Sequence, residues 1–249
     1  MVWKTGPLVL ALILLAGFGL HAAPHNNLPH LRICGDAIDW PPYIYVQNEE
    51  IHGYDVEILD RALARHGVKY DLVLTSWSRC LRGAKHDEYD LVVSASYSPE
   101  REKDYLYTEW YYTITPLYIY SSQLFPQGLT ISTSQELSAY RVCGQHSYNY
   151  HDFNIDGIES VGNSIREITE KLKTGECDVY LSWEEILEGT RRKWGIEHIT
   201  PPLVYKAVPN MEPHKFYMLI SRHLPEREQL KTLLDRQFRL DRTANKDSQ

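Results

Sequence analysis

From about residue 31 onward, apolar residues fall into two kinds of run: short blocks typical of buried strands and stretches recurring at helical spacing. Leu31-Arg32-Ile33-Cys34 predicts a strand that stops at Gly35-Asp36, followed by the turn-rich Asp39-Trp40-Pro41-Pro42-Tyr43 and then Ile44-Tyr45-Val46. Between Gly53 and Gly67, Val56, Leu59 and Leu63, flanked by Ile58 and Ala62, make one apolar stripe. Asp55 is the predicted N-cap of that helix and Gly67 its stop. A strand over 69–77, a short helix over 78–88 and a strand over 89–96 follow. Ser98 then reads as an N-cap and Pro99 as a first helical position.

A second series starts after the aromatic segment 110–122: strand 140–147, helix 164–176 with Ile165, Ile168 and Leu172 on one face, strand 177–183 and helix 184–195. An extended segment at 198–205, a strand at 215–222 and a helix at 226–240 close the chain. Alternating strands and helices predict an α/β fold with parallel strands. No low-complexity linker separates the two series and no internal repeat is visible, which favours two lobes in contact.

The chain has 249 residues, is 43% hydrophobic and carries a formal net charge of −7. That is enough to bury one large core or two small ones. No basic cluster or RNA-binding aromatic motif is present, so no nucleic-acid partner is expected. Lys4, the apolar run Pro7 to Leu20 and His21-Ala22-Ala23 have the order of a secretory signal peptide, assigned to residues 1–23, with an uncleaved anchor as the alternative. The mature chain is expected to be exported, with its signal removed.

Cys34, Cys80, Cys143 and Cys177 fit an oxidising compartment and lack the C-x-x-C spacing of a metal site. Four cysteines allow three pairings; two lobes would put Cys34–Cys80 in one and Cys143–Cys177 in the other. His146 and His151, in the segment 146–151, lack the helical i, i+4 spacing of a zinc pair, so neither a metal nor a cofactor is expected.

Ligands in open α/β sheets gather at the carboxyl ends of strands. Asp36 to Tyr43, Ser76-Trp77 and Ser94 to Arg101 fall there. Arg101 lands in the first turn of the predicted helix, where a cation is disfavoured unless an anion joins it. Its fork can grip a carboxylate with two parallel hydrogen bonds, and Trp40 and Trp77 can enclose a planar or apolar body. Taken alone, Arg101 reads first as a surface residue paired with Glu102 or Asp104; its place between strand end and helix start favours a ligand role instead.

The order of these landmarks resembles bacterial extracellular solute-binding proteins of family 3, a group that includes periplasmic receptors feeding polar amino acids to ABC importers. Asp36 with Trp40-Pro41-Pro42-Tyr43, Gly53-Tyr54-Asp55, Trp77, and Ser96 with Arg101 match its landmarks, serine standing for the usual threonine. The resemblance implies an α/β, two-lobed periplasmic-binding-protein fold of type II. Each lobe is then a central, mostly parallel sheet flanked by helices, and two hinge crossings join them. Residues 31–112 with 206–249 would form lobe one and 113–205 lobe two.

The implied function is a periplasmic receptor that closes on a small carboxylate-bearing solute, a polar amino acid or related compound, for an ABC permease in the inner membrane. A monomer suffices for that role. Arg101, Ser96, Ser94, Trp40, Trp77 and Asp36 would supply its ligand contacts in lobe one. Lobe two departs from the pattern. The family's ammonium-binding aspartate is replaced by Trp183, leaving Glu184 as a substitute, and Ser147-Tyr148 stand where a Gly-Thr pair is usual. Gln145, Tyr148, Trp183 and Glu184 are the candidates there. Two alternatives remain: an enzyme on the same scaffold, dehydratase-like, with Glu184, Asp36 or His146 as acid or base, and a ligand-sensing module for a membrane receptor.

Overall fold

The computed structural model describes Met1 and residues 28–146 and 148–246. The expected signal segment lies outside these residues apart from Met1, as does Ser147. In chain order the elements are β1 (Leu31–Asp36), β2 (Tyr45–Gln47), β3 (Glu50–His52), α1 (Tyr54–Ala62), β4 (Tyr70–Thr75), α2 (Trp77–Lys85), β5 (Leu91–Ser96), β6 (Tyr105–Tyr107) and β7 (Tyr112–Ile114). There follow β8 (Pro116–Ser121), β9 (Val142–Gln145), β10 (Glu159–Gly162), α3 (Ile165–Thr174), β11 (Val179–Trp183), α4 (Glu184–Trp194), β12 (Leu203–Ala207), β13 (His214–Ser221) and α5 (Arg227–Lys246).

Two sheets organise the chain. The first runs β4-β1-β5-β13-β6, with β7 also on β13. Its β4, β1 and β5 are parallel, and β13 lies antiparallel to its neighbours. The second runs β10-β9-β11-β8-β12, with β10, β9 and β11 parallel and β8 antiparallel to β11 and β12. The chain passes from one sheet to the other at Thr115, between β7 and β8, and returns through residues 208–213, between β12 and β13.

Local chemistry explains the element ends. Ser164 caps α3 by accepting the Glu167 amide at 3.3 Å, while the Glu167 carboxylate accepts the Asn163 amide at 2.7 Å. Gly175, at φ 78°, ends the same helix. Two sequence expectations need correction. Asp55 does not cap α1: Gly53 does, at φ 118°, where a Cβ would sit 2.3 Å from the Tyr43 carbonyl oxygen. Asp55 instead takes a place on the buried face with Ile58, Leu59 and Ala62. The helix expected after Ser98 is one 3₁₀ turn, Pro99–Arg101, because β13 claims Tyr105–Tyr107 as a strand.

Disulfides Cys34–Cys80 and Cys143–Cys177 tie β1 to α2 and β9 to the start of the β11 segment. Each pair lies in its own small apolar cluster. The main core passes from Ile33, Ile58 and Val93 in the first lobe, through Trp40, Tyr112 and Phe216, to Trp183, Leu181 and Phe153 in the second. Among the described residues, no helix is long and apolar enough to cross a membrane.

Candidate functional site

β1, α2 and β5 end at the junction of the lobes, where Asp36, Ile38, Trp40, Ile44, Trp77, Ser94, Ser96 and Arg101 face Tyr148, Asn149, Asp152 and Trp183. His214 and Phe216, from β13, complete the floor. Parallel packing of β4, β1 and β5 places their carboxyl ends together, so residues 36, 77 and 94–101 meet although some 60 residues separate the first from the last.

Arg101 is held on its own lobe. Its Nη1 donates to the Ser96 carbonyl oxygen at 3.0 Å, and its guanidinium carbon lies 5.5 Å from the centre of the Trp77 ring. The carboxylates beside it in sequence are engaged elsewhere: Asp104 pairs with Lys85 at 2.9 Å, and Glu102 accepts the Tyr97 hydroxyl at 3.0 Å. Among the described residues no carboxylate forms an ion pair with Arg101. The surface-pair reading therefore lacks its partner.

Two acids share the cleft with this cation. Burial pushes Asp36 above the ordinary carboxylate range, against the amides of Ile38, Ala37 and Trp77, which favour its charge. Asp152 is likewise raised by burial, with His151 opposing. Both Asp152 and His214 also line an adjoining groove of about 530 Å³, which sets them at the side of the cleft. Burial holds His214 down to about 4. Its Nδ1 accepts the Trp183 indole N–H at 3.1 Å, so the neutral ring carries its proton on Nε2.

Aromatic rings close the site. Trp40 meets Tyr148 edge-on at 5.3 Å and Trp183 at 5.4 Å, and Phe216 lies 6.1 Å away. The Trp40 indole N–H is the one buried side-chain polar atom without a hydrogen-bond partner among the described residues, which costs about 1–3 kcal/mol. Asn149 reaches from the second lobe to donate to the Ser96 hydroxyl at 3.0 Å and the Tyr97 carbonyl at 2.9 Å. The lobes are thus in contact, and the cavity between them measures only about 60 Å³, well under the roughly 300 Å³ where small-molecule pockets begin. A solute can enter only by parting the lobes.

Of the residues singled out from sequence, the cleft gathers Asp36, Trp40, Trp77, Ser94, Ser96, Arg101, Tyr148 and Trp183. Gln145 lies behind it, 3% exposed, donating through Nε2 to the Asn163 carbonyl at 3.2 Å. Glu184 is a correction. As the first residue of α4 it turns outward, is exposed, and lines a different groove with Leu187, Arg191 and Arg192. Its neighbour Glu185 instead secures the crossing, accepting the Thr115 amide at 2.7 Å and hydroxyl at 2.8 Å. Sequence reasoning missed Asn149, Asp152, His214 and Phe216. The only signal for Asn149 and Asp152 was their closeness to Tyr148; β13 gave none until its pairing with β5 was known.

Two α/β lobes joined by two crossings, with a charged and aromatic cleft between them, define a type II periplasmic-binding-protein fold. Residues 31–132 match the model of Bacterial extracellular solute-binding proteins, family 3. That match agrees with the resemblance read from the sequence. The chain is 20% identical over 168 residues to the arginine-binding extracellular protein ArtP of Bacillus subtilis (strain 168), across 63% of this chain and 62% of that relative's length.

In fold it is similar to the amino acid ABC transporter substrate-binding protein AbpA of Streptococcus pneumoniae bound to L-arginine, with TM-score 0.65, 18% identity, and coverage of 87% of this chain and 90% of that one. A histidine kinase sensor domain with similarity to periplasmic binding proteins gives TM-score 0.65 at 17% identity, covering 88% of this chain and 92% of that one.

Proposed function

We propose that this chain is an exported solute-binding receptor that encloses a small carboxylate-bearing solute, a polar amino acid or related compound, and delivers it to an ABC importer. The observation that carries the reading is Arg101: a guanidinium on the cleft wall, backed by Trp77 and unpaired by any described carboxylate. Arg101 would take the solute's carboxylate beside the Ser94 and Ser96 hydroxyls, while Asp36 and Asp152 offer places for an amino or guanidino group.

The matched family and ArtP are binding proteins by name, which supports a binder over a catalyst. The signal segment at residues 1–23, a cleaved leader, a permease partner and a monomeric state belong to the same reading. So does the lobe assignment, 31–112 with 206–249 and 113–205, although β7 keeps Thr113 and Ile114 in the first sheet and β12 keeps Lys206 and Ala207 in the second.

The likeness to a histidine kinase sensor domain favours one second reading, a solute sensor that reports to a membrane receptor. Thermal-shift and calorimetric screens with L-arginine, other amino acids, amines, dipeptides and aromatic carboxylates test the binding itself. Saturable binding of a carboxylate, abolished in Arg101→Ala, is the expected result; binding only of solutes without a carboxylate overturns it.

A further inference from the structure

Asp55 is a wholly buried acid, at 0% exposure, one layer behind the cleft wall. Its Oδ2 accepts the Ser94 hydroxyl at 2.6 Å and its Oδ1 accepts the Tyr111 hydroxyl at 2.5 Å. The Ser94 oxygen also lies 2.9 Å from the Tyr112 hydroxyl, and since the serine's one proton goes to Asp55, Tyr112 donates there. The Ser94 amide donates to the Tyr111 oxygen at 2.9 Å. Ser94 nevertheless lines the cleft, in a left-handed conformation at φ 56° that is uncommon for serine. The hydrogen bonds to Asp55 and Tyr111 hold it there.

We propose that Asp55 is a positioning residue that sets the direction of the Ser94 hydroxyl, so that an anionic solute entering the cleft takes up one proton with it. This rests on the reading of the cleft as a carboxylate site. While Asp55 is ionised, the serine proton is committed to it, and a carboxylate in the cleft would face an oxygen with no hydrogen to give. Once Asp55 gains a proton from solvent, its O–H donates to the Ser94 oxygen. Tyr112 still donates to the same oxygen, and the serine hydrogen turns toward the solute. No covalent bond other than O–H changes.

The surroundings allow the exchange at ordinary pH. Burial raises Asp55 to about 7, against the two hydroxyls of Ser94 and Tyr111 that favour its charge. Ser94 from β5, Tyr111 and Tyr112 from the β7 segment, Tyr43 from the turn after β1 and Tyr54 of its own helix face it, and among the described residues no cation acts on it. Glu185 acts on Tyr43, and Arg61 and Asp241 act on Tyr54. Losing one buried negative charge also favours an incoming anion, so both effects have the same sign.

Two measurements test this. First, carbon-13 NMR of the Asp55 carboxyl in the solute-free full chain should titrate near pH 7, and Ser94→Ala, by removing a donor to the carboxylate, should move that midpoint upward. A midpoint below 5, or one unmoved by Ser94→Ala, overturns the proposal.

Second, L-arginine is titrated calorimetrically at pH 7.5 in phosphate and in Tris, whose protonation heats differ. The native chain should take up as much as about three quarters of a proton, the share that a midpoint near 7 leaves unbound at that pH, and its affinity should fall by up to tenfold per pH unit well above 7. Asp55→Asn should take up none and lose that slope. Equal uptake in both proteins overturns the proposal. Failure of every carboxylate to bind would sink the solute-binding reading instead, and the carboxyl titration alone would then decide the Asp55–Ser94 coupling. The linkage has one more consequence. Because the folded midpoint lies above the unfolded one, this acid's stability contribution is complete below about pH 4 and is lost as pH rises through about 7. Asp55→Asn should flatten that decline in melting temperature.

Discussion

The first lobe's wall of the cleft carries the cation, with hydroxyl and carboxylate groups set among the rings of Trp40, Trp77 and Phe216, whereas the second lobe's wall carries two rings, an amide and one half-buried acid. The first set is rigid: Asp36, Ser94 and Ser96 close parallel strands, and Arg101 is braced by the Ser96 carbonyl and the Trp77 face. The second set hangs from the turn after β9 and the end of β11. A braced wall that carries the cation can bind first and a wall hung from a turn can cover afterwards, which is the division of labour that hinge closure needs.

The largest expected effect breaks this asymmetry at its polar end. Arg101→Ala removes two charge-assisted hydrogen bonds to a solute carboxylate, worth together about 3 kcal/mol or more, so affinity should fall over a hundredfold. Calorimetry with the best carboxylate from the screen reads this, and an unchanged melting temperature of the solute-free protein would show that the fold is intact. Unchanged affinity would mean that the first wall does not grip.

Closure is next. Gly189 of α4 faces the turn at Pro41, and a Cβ there would lie 2.3 Å from the Pro41 carbonyl oxygen. Alanine normally strengthens a helix relative to glycine by about 1 kcal/mol. Gly189→Ala should therefore leave the second lobe folded yet wedge the lobes apart, weakening binding roughly tenfold and increasing the radius of gyration by small-angle scattering. A variant that binds and closes as before would show that this contact does not govern closure. Asn149→Ala asks less. It removes two part-buried neutral hydrogen bonds between the lobes, each worth about 0.5 kcal/mol net at the low end of the usual range. Weakening should stay within roughly tenfold and appear mostly as faster release in stopped-flow traces. Slower association with unchanged release would contradict the view of Asn149 as a closing contact.

The same asymmetry marks what could be read from the chain before its structure was known. The first wall was legible because its residues sit where predicted strands stop, and strand ends in a parallel sheet meet. The second was not, because a turn's side-chain directions depend on tertiary contacts: Asn149 points at Ser96 through a bond across the lobes that no local pattern encodes. Phe216 and His214 were hidden for another reason. Their strand lies far along the chain and joins the first sheet antiparallel, a pairing that apolar runs do not specify. Asp55 did leave a trace. It shares the helical spacing of Ile58, Leu59 and Ala62, so an acid occupied a core position, and reading it as a cap obscured that.

Glu184 is the smallest test and the most direct check on the second wall. Counting along the strand–helix junction puts an acid one residue beyond Trp183, and a carboxylate there would suit an ammonium group. Geometry assigns the inward position to Trp183, whose indole is anchored on His214, and turns the next side chain toward Arg191 and Arg192 on the outer face of α4. Those arginines pair with Glu188 instead, and an exposed carboxylate outside the cleft contributes little to binding within it. Glu184→Gln should consequently change affinity less than twofold, whereas Asp152→Asn, inside the cleft, should weaken a cationic solute such as L-arginine by several-fold and leave a purely anionic one unaffected. If Glu184→Gln proved the more damaging of the two, the second lobe would have to turn its α4 face inward when a solute is bound, and the wall described above would belong to a different state of the hinge.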